Sequence, residues 1–420
     1  MLAYGELLDS NVSPVAVPSV RCHSAQISAD PFTALVMLKT SLTAVVSLAT
    51  LLLSASSASA GITLVRQLDP FAGNNRYADV WGDGDFAYVG SFNGSGAAIF
   101  DVSDPANAFL AGFYNPGSGG QFKDVKVHNG IGYFASDNDG GVHIVDVSDP
   151  TNPTLLSQIL PDDGGYDHVH NVSVHNGFLY EADSRTNVVK VFDVSDPSNP
   201  FFVRDIVTTD SRFIHDVTAV NGRLFTSGFG GSTDIYDISN VGTEAPALLG
   251  TIASGSNSHS SYPTPDGNFL VSAREISNGD VRIYDITDPS DPELVSVLNR
   301  TNLGIEAFSP HNPIVMDGFL YISWYQAGLV LVDINDPSNP HFVDQFDTFP
   351  GPVSGFDGNW GVYPFLGPER VLLSDMDGGL FIVDASGAVP EPTSVAVWLV
   401  IAGGTAGFAG IRRRRRAIAS

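Results

Sequence analysis

The chain has 420 residues, including 43 glycines, 26 prolines and 43% apolar residues, a composition of turns and buried strands rather than long helices. Its formal net charge is −26, and residues 61–388 alone carry 13 Lys and Arg against 42 Asp and Glu, a net of −29. A field of that sign repels phosphate backbones and excludes nucleic acid as a partner, while it favours cations.

The start reads as two pieces. Residues 1–36 contain Glu6, Asp9 and Asp30, no periodicity and no basic leader, and are expected to be an over-long gene-model extension. Residues 37–60 have the order of a signal peptide: Lys39 as the positive n-region, an apolar h-region over 41–53, and Ala58-Ser59-Ala60 as a small-residue cleavage site before Gly61. The 13-residue apolar run is too short for a hydrocarbon core of about 30 Å, so cleavage is expected rather than anchoring. The single cysteine, Cys22, lies upstream of that site, so the mature chain must be held by burial and strand pairing without a disulfide.

From residue 61 the chain repeats. A short apolar strand ends in an Asp and is followed by a Ser-Asp-Pro type of turn, as in Val142-His143-Ile144-Val145-Asp146-Val147-Ser148-Asp149-Pro150. The closing Asp recurs as Asp101, Asp146, Asp193, Asp237, Asp285, Asp333 and Asp384, at gaps of 45, 47, 44, 48, 48 and 51 residues. A period of this length filled with strand-like segments marks a radial all-β array.

The third unit shows the order. Residues 170–174 alternate as a first strand, His175-Asn176-Gly177 turns, and 178–182 return as a second. Residues 189–194 form the third strand, and a Ser-Asp-Pro-Ser-Asn-Pro turn leads to a fourth over 201–206. Four antiparallel strands per period are one propeller blade. The fourth unit has Ser239-Asn240-Val241-Gly242 in place of Ser-Asp-Pro, and its turn is expected to be looser.

The last unit ends at Asp384 with no fourth strand, whereas Ile62-Thr63-Leu64-Val65-Arg66-Gln67-Leu68 looks like a fourth strand without a blade. Pairing the two would close a seven-bladed β-propeller over 61–388 and leave no open edge at its seam. The Ile-Val-Asp-Val-Ser-Asp-Pro segments resemble the LVIVD repeat. Together with Asp79-Val80-Trp81 and the His-Asn segments, the chain resembles the choice-of-anchor B surface proteins. That resemblance implies an exported repeat domain and supplies no catalytic residues.

Equivalent positions in a propeller form a ring about its axis. The residue opening each first strand is Ala78, Lys123, His170, His215, Ser260 with His259 beside it, His311 and, in the last blade, about Gly358. His168, two residues before His170, is expected on the same side of a strand. Neutral imidazoles suit zinc, copper, iron or nickel, so the ring is a candidate divalent-metal site. Glu306 and Asp167 are the expected carboxylate partners. The competing reading is structural, with each His-Asn or His-Asp pair bonding to the neighbouring blade. Asp137 and Asp139, and likewise Asp375 and Asp377, sit in Asp-x-Asp-Gly-Gly loops like the start of a calcium loop. They lack the Glu at the twelfth position and equally fit hairpin turns. Trp81, Trp324 and Trp360 could line the channel or a carbohydrate surface, with packing between blades as the simpler use.

Residues 389–420 close the chain with Pro390-Glu391-Pro392, an apolar run over 394–411 and five arginines, 412–416. Eighteen helical residues reach about 27 Å, enough to span a bilayer, and the arginines would hold that end in the cytoplasm. The three elements resemble a PEP-CTERM sorting signal. This implies processing by an exosortase near the Pro-Glu-Pro and membrane contact through that helix alone. No phosphate-binding glycine loop, Gly-x-Ser-x-Gly elbow or cysteine nucleophile is present. The sequence thus favours an exported, surface-associated or extracellular propeller that binds protein or polysaccharide. The alternatives are a metal-dependent hydrolase or lyase at the channel mouth and a purely structural envelope protein.

Overall fold

The aspartate that closes each third strand also builds the turn after it. In the third unit the Ser195 N–H and hydroxyl both donate to Asp193 Oδ1 at 2.9 and 2.5 Å, and the same pair of bonds joins Ser148 to Asp146 and Ser386 to Asp384. One turn further on, Ser198 N–H donates to Asp196 Oδ1 and Asn199 Nδ2 to Asp196 Oδ2. These Asx turns satisfy backbone that the following prolines cannot, and they stop one strand before the next begins. The fourth unit's turn is not looser. Val241 is buried there, and Val241, Thr243 and Glu244 N–H donate to Ile238 and Asn240 carbonyls.

In the computed structural model, residues 61–389 are described, apart from 74, 75, 95, 118, 119, 350 and 354. The extension 1–36, Cys22, the signal peptide with Ala58 and Ala60, Pro390, Glu391, Pro392 and the apolar run 394–411 lie outside the described residues. Among the described residues, no helix is long and apolar enough to cross a membrane.

Seven four-stranded antiparallel sheets form the blades of a β-propeller. The inner strands, in order of blade, are Tyr77–Asp83, Phe122–His128, Asn171–His175, Ile214–Val220, Ser258–Pro263, Pro313–Met316 and Asn359–Tyr363. The ring closes as the sequence indicates. The strand Thr63–Leu68 pairs antiparallel with Gly379–Asp384, Thr63 opposite Asp384 and Leu68 opposite Leu380, and so becomes the outer strand of blade seven.

The third strands lie between neighbouring sheets and are largely buried, apolar up to the closing Asp in blades one, six and seven and interrupted by His143, Lys190, Asp234 and Arg282 in blades two to five. Between blades five and six, Val271, Val281 and Ile283 pack with Leu320, Ile322, Trp324 and Val330. Each blade also leans on the next through the Asp-Pro turn. A Cβ at Gly112 would lie 1.9 Å from the Pro150 carbonyl oxygen, and one at Gly250 would lie 1.6 Å from that of Pro289, so neither position admits a side chain. Where serine takes this place its hydroxyl donates instead, Ser157 to the Pro197 carbonyl at 2.6 Å and Ser296 to that of Pro337 at 2.9 Å.

Candidate functional site: the channel mouth

A β-bulge near the start of the inner strands builds the site. Pairing slips between Phe122 and Asp124, Ile214 and Asp216, Ser258 and Ser260, and Asn359 and Gly361. The extra residues are Lys123, His215, His259 and Trp360. A bulge re-aims a side chain that regular alternation would turn into a blade. In blades three and six the equivalent residues lie just before the strand, His170 by one residue and His311 by two, each donating its N–H to the second strand of its blade at Ala182 and Ser323.

Four histidines from four consecutive blades therefore stand side by side. Ring centroids are 4.1 Å apart from His170 to His215, 4.1 Å from His215 to His259 and 4.2 Å from His259 to His311, and Trp360 follows 4.4 Å from His311. The bulge corrects two expected ring positions. Blade five presents His259 rather than Ser260, and blade seven presents Trp360 rather than Gly358. Alternation over a regular strand cannot reveal this, because the bulge shifts the register by one residue.

The residue after each bulge does the structural work assigned to the pair. Asp124 Oδ2 accepts from Val172 N–H, Asn171 Oδ1 from Val217 N–H, and Ser260 Oγ donates to the His311 carbonyl, each bond joining one blade to the next. Of the four clustered histidines, His311 shares that role, its Nδ1 lying 2.6 Å from the Trp360 carbonyl. The remaining nitrogens are not used in this way. Nδ1 of His215, both ring nitrogens of His259 and Nε2 of His311 are buried without a hydrogen-bond partner.

The carboxylate at this cluster is Glu275, on the loop after the second strand of blade five, and not Glu306 or Asp167. Both of those are exposed, Glu306 on the loop that follows the helical turn Arg300–Leu303. Ligand atoms of His215, His259 and Glu275 all lie within 4.8 Å of one another, with His259 Nε2 3.8 Å from Glu275 Oε2. Tetrahedral zinc places its donors about 3.3 Å apart, so an ion would draw these groups inward by about an ångström. Tyr325 donates its hydroxyl to Glu275 Oε1 at 2.5 Å and packs against His311 at 4.9 Å. Its φ of 31° lies in the left-handed region, unusual for a bulky residue and a form of strain that collects at functional sites.

Burial dominates the electrostatics. It lowers the His215 and His259 pKa values well below the ordinary histidine range, with the neighbouring imidazoles adding to the effect. Burial likewise brings His311 down to about 3 against the opposing Trp360 carbonyl bond. All three are neutral at physiological pH, the form that ligates metal. Burial raises Glu275, and the Tyr325 bond opposes that rise.

The other expected site residues are placed elsewhere. His168 is not on a strand, so the two-residue alternation does not apply. Its Nδ1 lies 2.9 Å from the Asp137 carbonyl and its Nε2 3.0 Å from Asp139 Oδ1. His170 Nδ1 is 3.5 Å from Asp137 Oδ2, and Lys123 is 2.7 Å from the same oxygen. Burial would raise the Asp137 pKa, but His170 and Lys123 together hold it down to about 2. In the second Asp-Gly-Gly loop, Asp375 accepts from the Thr348 hydroxyl and from Asp377 and Gly378 N–H, while Asp377 pairs with Arg76. These four carboxylates are engaged as turn and ion-pair residues. Trp324 is packed between blades five and six, Trp360 closes the mouth, and Trp81 lines the channel further in.

Four segments, residues 76–116, 119–160, 167–208 and 314–348, match the family model of the LVIVD repeat. The matched segments are blades one, two, three and six, and the LVIVD strand itself is the largely buried third strand. Blades four and five share the four-stranded build, and blade seven completes it with the N-terminal strand. A crystal structure of a computationally designed protein, Ika8, is similar in fold, with a TM-score of 0.54 at 10% identity, covering 76% of this chain and 98% of that one. No curated protein matches the chain.

Proposed function

We propose that this LVIVD-repeat propeller is an exported binding protein that holds a divalent transition-metal ion at its channel mouth through His215, His259 and Glu275. The observation that carries the reading is the convergence of two neutral imidazoles and a carboxylate within 4.8 Å, with ring nitrogens of both histidines left unpartnered in a buried site. Burying a polar atom without a partner is costly, and a metal would satisfy these nitrogens together. Histidine and carboxylate donors suit zinc and its neighbours better than calcium. The acidic domain raises the local concentration of any cation.

Export rests on the order of elements in residues 37–60, and processing by an exosortase rests on the likeness of 389–420 to a PEP-CTERM signal. The choice-of-anchor B likeness points the same way. The outer faces of the propeller suit a protein or polysaccharide partner at the cell surface, the metal then serving as anchor for a ligand group or as a structural pin. Two imidazoles and one carboxylate also leave a fourth position for water, the donor arrangement of zinc hydrolases, so a hydrolytic role is the second reading.

Zinc titration of the full chain by calorimetry tests the metal reading. One ion per chain should bind to the wild type, and His259→Ala should lose at least a hundredfold in affinity while melting as the wild type does. Equal zinc binding by both proteins would remove the site.

A further inference from the structure

Beneath the histidines the channel widens into a cavity of about 360 Å³, which the metal reading does not use. Its upper wall is the layer of residues after the bulge, Asp79, Asp124, Asn171, Asp216, Ser260 and Asn312. Two steps along the inner strands come Trp81, Lys126, Ser173, Thr218, Tyr262 and Ile314, and Phe365 stands at the opening.

The charges of this wall do not balance. Lys126 is the one lysine or arginine in the lining, and it is already engaged. Its ammonium donates to Asp79 Oδ2 at 2.8 Å and to Asp124 Oδ1, and it lies 5.0 Å over the Trp81 ring. Asp216 makes no hydrogen bond to it, although the ammonium is near enough to act on its carboxylate. Asp216 receives the Asn171 side-chain amide at 3.0 Å, and Asn171 in turn is held by Val217 N–H. A carboxylate inside a cavity, held by a neutral amide, is a receptor for a positive charge. An anionic ligand would find no free cation here.

The opposite side of the cavity is apolar. Trp81 is fixed by donating its indole N–H to the Val127 carbonyl at 2.8 Å and stacks beside Tyr363 at 4.9 Å. Tyr262 and Phe365 face each other at 6.2 Å with Ile314 also in the lining, while Val174 and Ala219 add apolar surface on the Asp216 side. The volume is at the lower end of small-molecule pockets, with the usual pattern of apolar walls and a few fixed polar groups.

We propose that this cavity binds a small organic cation, an amine with an apolar or aromatic body, its ammonium directed at Asp216 and its body held by Trp81, Tyr262 and Phe365. Aromatic walls add attraction for a cation as well as apolar contact. Asp216 follows His215 and also borders the small hollow beside the histidines, but His215, His259 and Glu275 do not line the cavity, so the ligand would not occupy the proposed metal site.

The test uses the full chain in metal-free buffer, with 2-phenylethylamine as the probe and 2-phenylethanol as its neutral isostere, followed by calorimetry or ligand-detected NMR. The expected result is saturable binding of one amine per chain, at least tenfold tighter than the alcohol. Asp216→Asn should remove that preference, and Tyr262→Ala should weaken both probes. Zinc at saturation of the histidine site should leave amine binding in place. Equal binding of amine and alcohol, no binding of either at millimolar concentration, or displacement of the amine by zinc would each overturn the proposal. If Asp216→Asn fails to fold, the comparison of amine with alcohol on the wild type and on Tyr262→Ala still decides it.

Discussion

The Tyr325 hydroxyl donates to Glu275 across 2.5 Å, and the two residues come from adjacent blades. The bond fixes the carboxylate beside His259 and ties the candidate metal site to the blade that supplies His311. Its donor sits at a backbone angle that a tyrosine rarely adopts.

Tyr325→Phe keeps the ring and removes that bond. Partners of ligating groups typically contribute 10- to 100-fold in metal affinity. Zinc affinity should therefore fall about tenfold or more, while thermal stability changes by only about 1 kcal/mol. A calorimetric titration beside a melting curve separates the two effects, and unchanged affinity would show that Glu275 needs no such support.

The seam makes the ring depend on seven residues far from it in sequence. Removing 62–68 strips the outer strand from Gly379–Asp384 and exposes an edge. The truncated chain should lose its single cooperative unfolding transition and aggregate. Retention of a wild-type urea transition would contradict closure by this strand.

Gly250 meets the Pro289 carbonyl so closely that even one methyl group displaces the next blade's turn. Gly250→Ala should destabilise the domain by about 1–3 kcal/mol, in line with overpacking. The same change at Gly84, whose Cβ would meet nothing within 4 Å, incurs only the strain of its positive φ. Paired denaturant titrations measure the difference, and the larger loss is expected at Gly250.

His143 supplies a pH signature. Its ring is buried between Tyr114, whose hydroxyl is 2.9 Å from Nδ1, and Gln158, whose amide nitrogen is 3.0 Å from Nε2. Burial lowers its pKa to about 4 against the opposing influence of Gly140. The folded state therefore keeps it neutral where the unfolded chain, near 6.5, takes up a proton. Its stabilisation is full above pH 6.5 and is lost as pH falls toward 4, by up to about 3 kcal/mol. His143→Gln should flatten that limb of the stability profile, and an unaltered slope would assign it to other groups.

The blade count, the seam and the turn chemistry were legible because they repeat. Seven aspartates at a near-constant interval give the period, and the unsatisfied strand at 62–68 gives the closure. The site was legible only in part. The four histidines fall at one place in the period, so their convergence could be read. The bulge that turns His259 and Trp360 inward leaves no mark in an alternation pattern. Glu275 follows the second strand of blade five, the place Asp137 takes in blade two and Asp183 in blade three, a position that the reading of first-strand residues passed over. His168 misled because its spacing from His170 suggested a strand that begins only at Asn171. The matched LVIVD segments span whole blades and include Lys123 and His170, but not the stretches that supply His215, His259, Glu275 and His311.

Elemental analysis of the full chain, purified without chelator and without added metal, tests the central claim most directly. The account predicts close to one transition-metal ion per chain in the wild type and less than a tenth of that in the His215→Ala, His259→Ala double variant of unchanged fold. A wild-type protein free of transition metal, and unaltered in melting temperature when zinc is supplied, would contradict it.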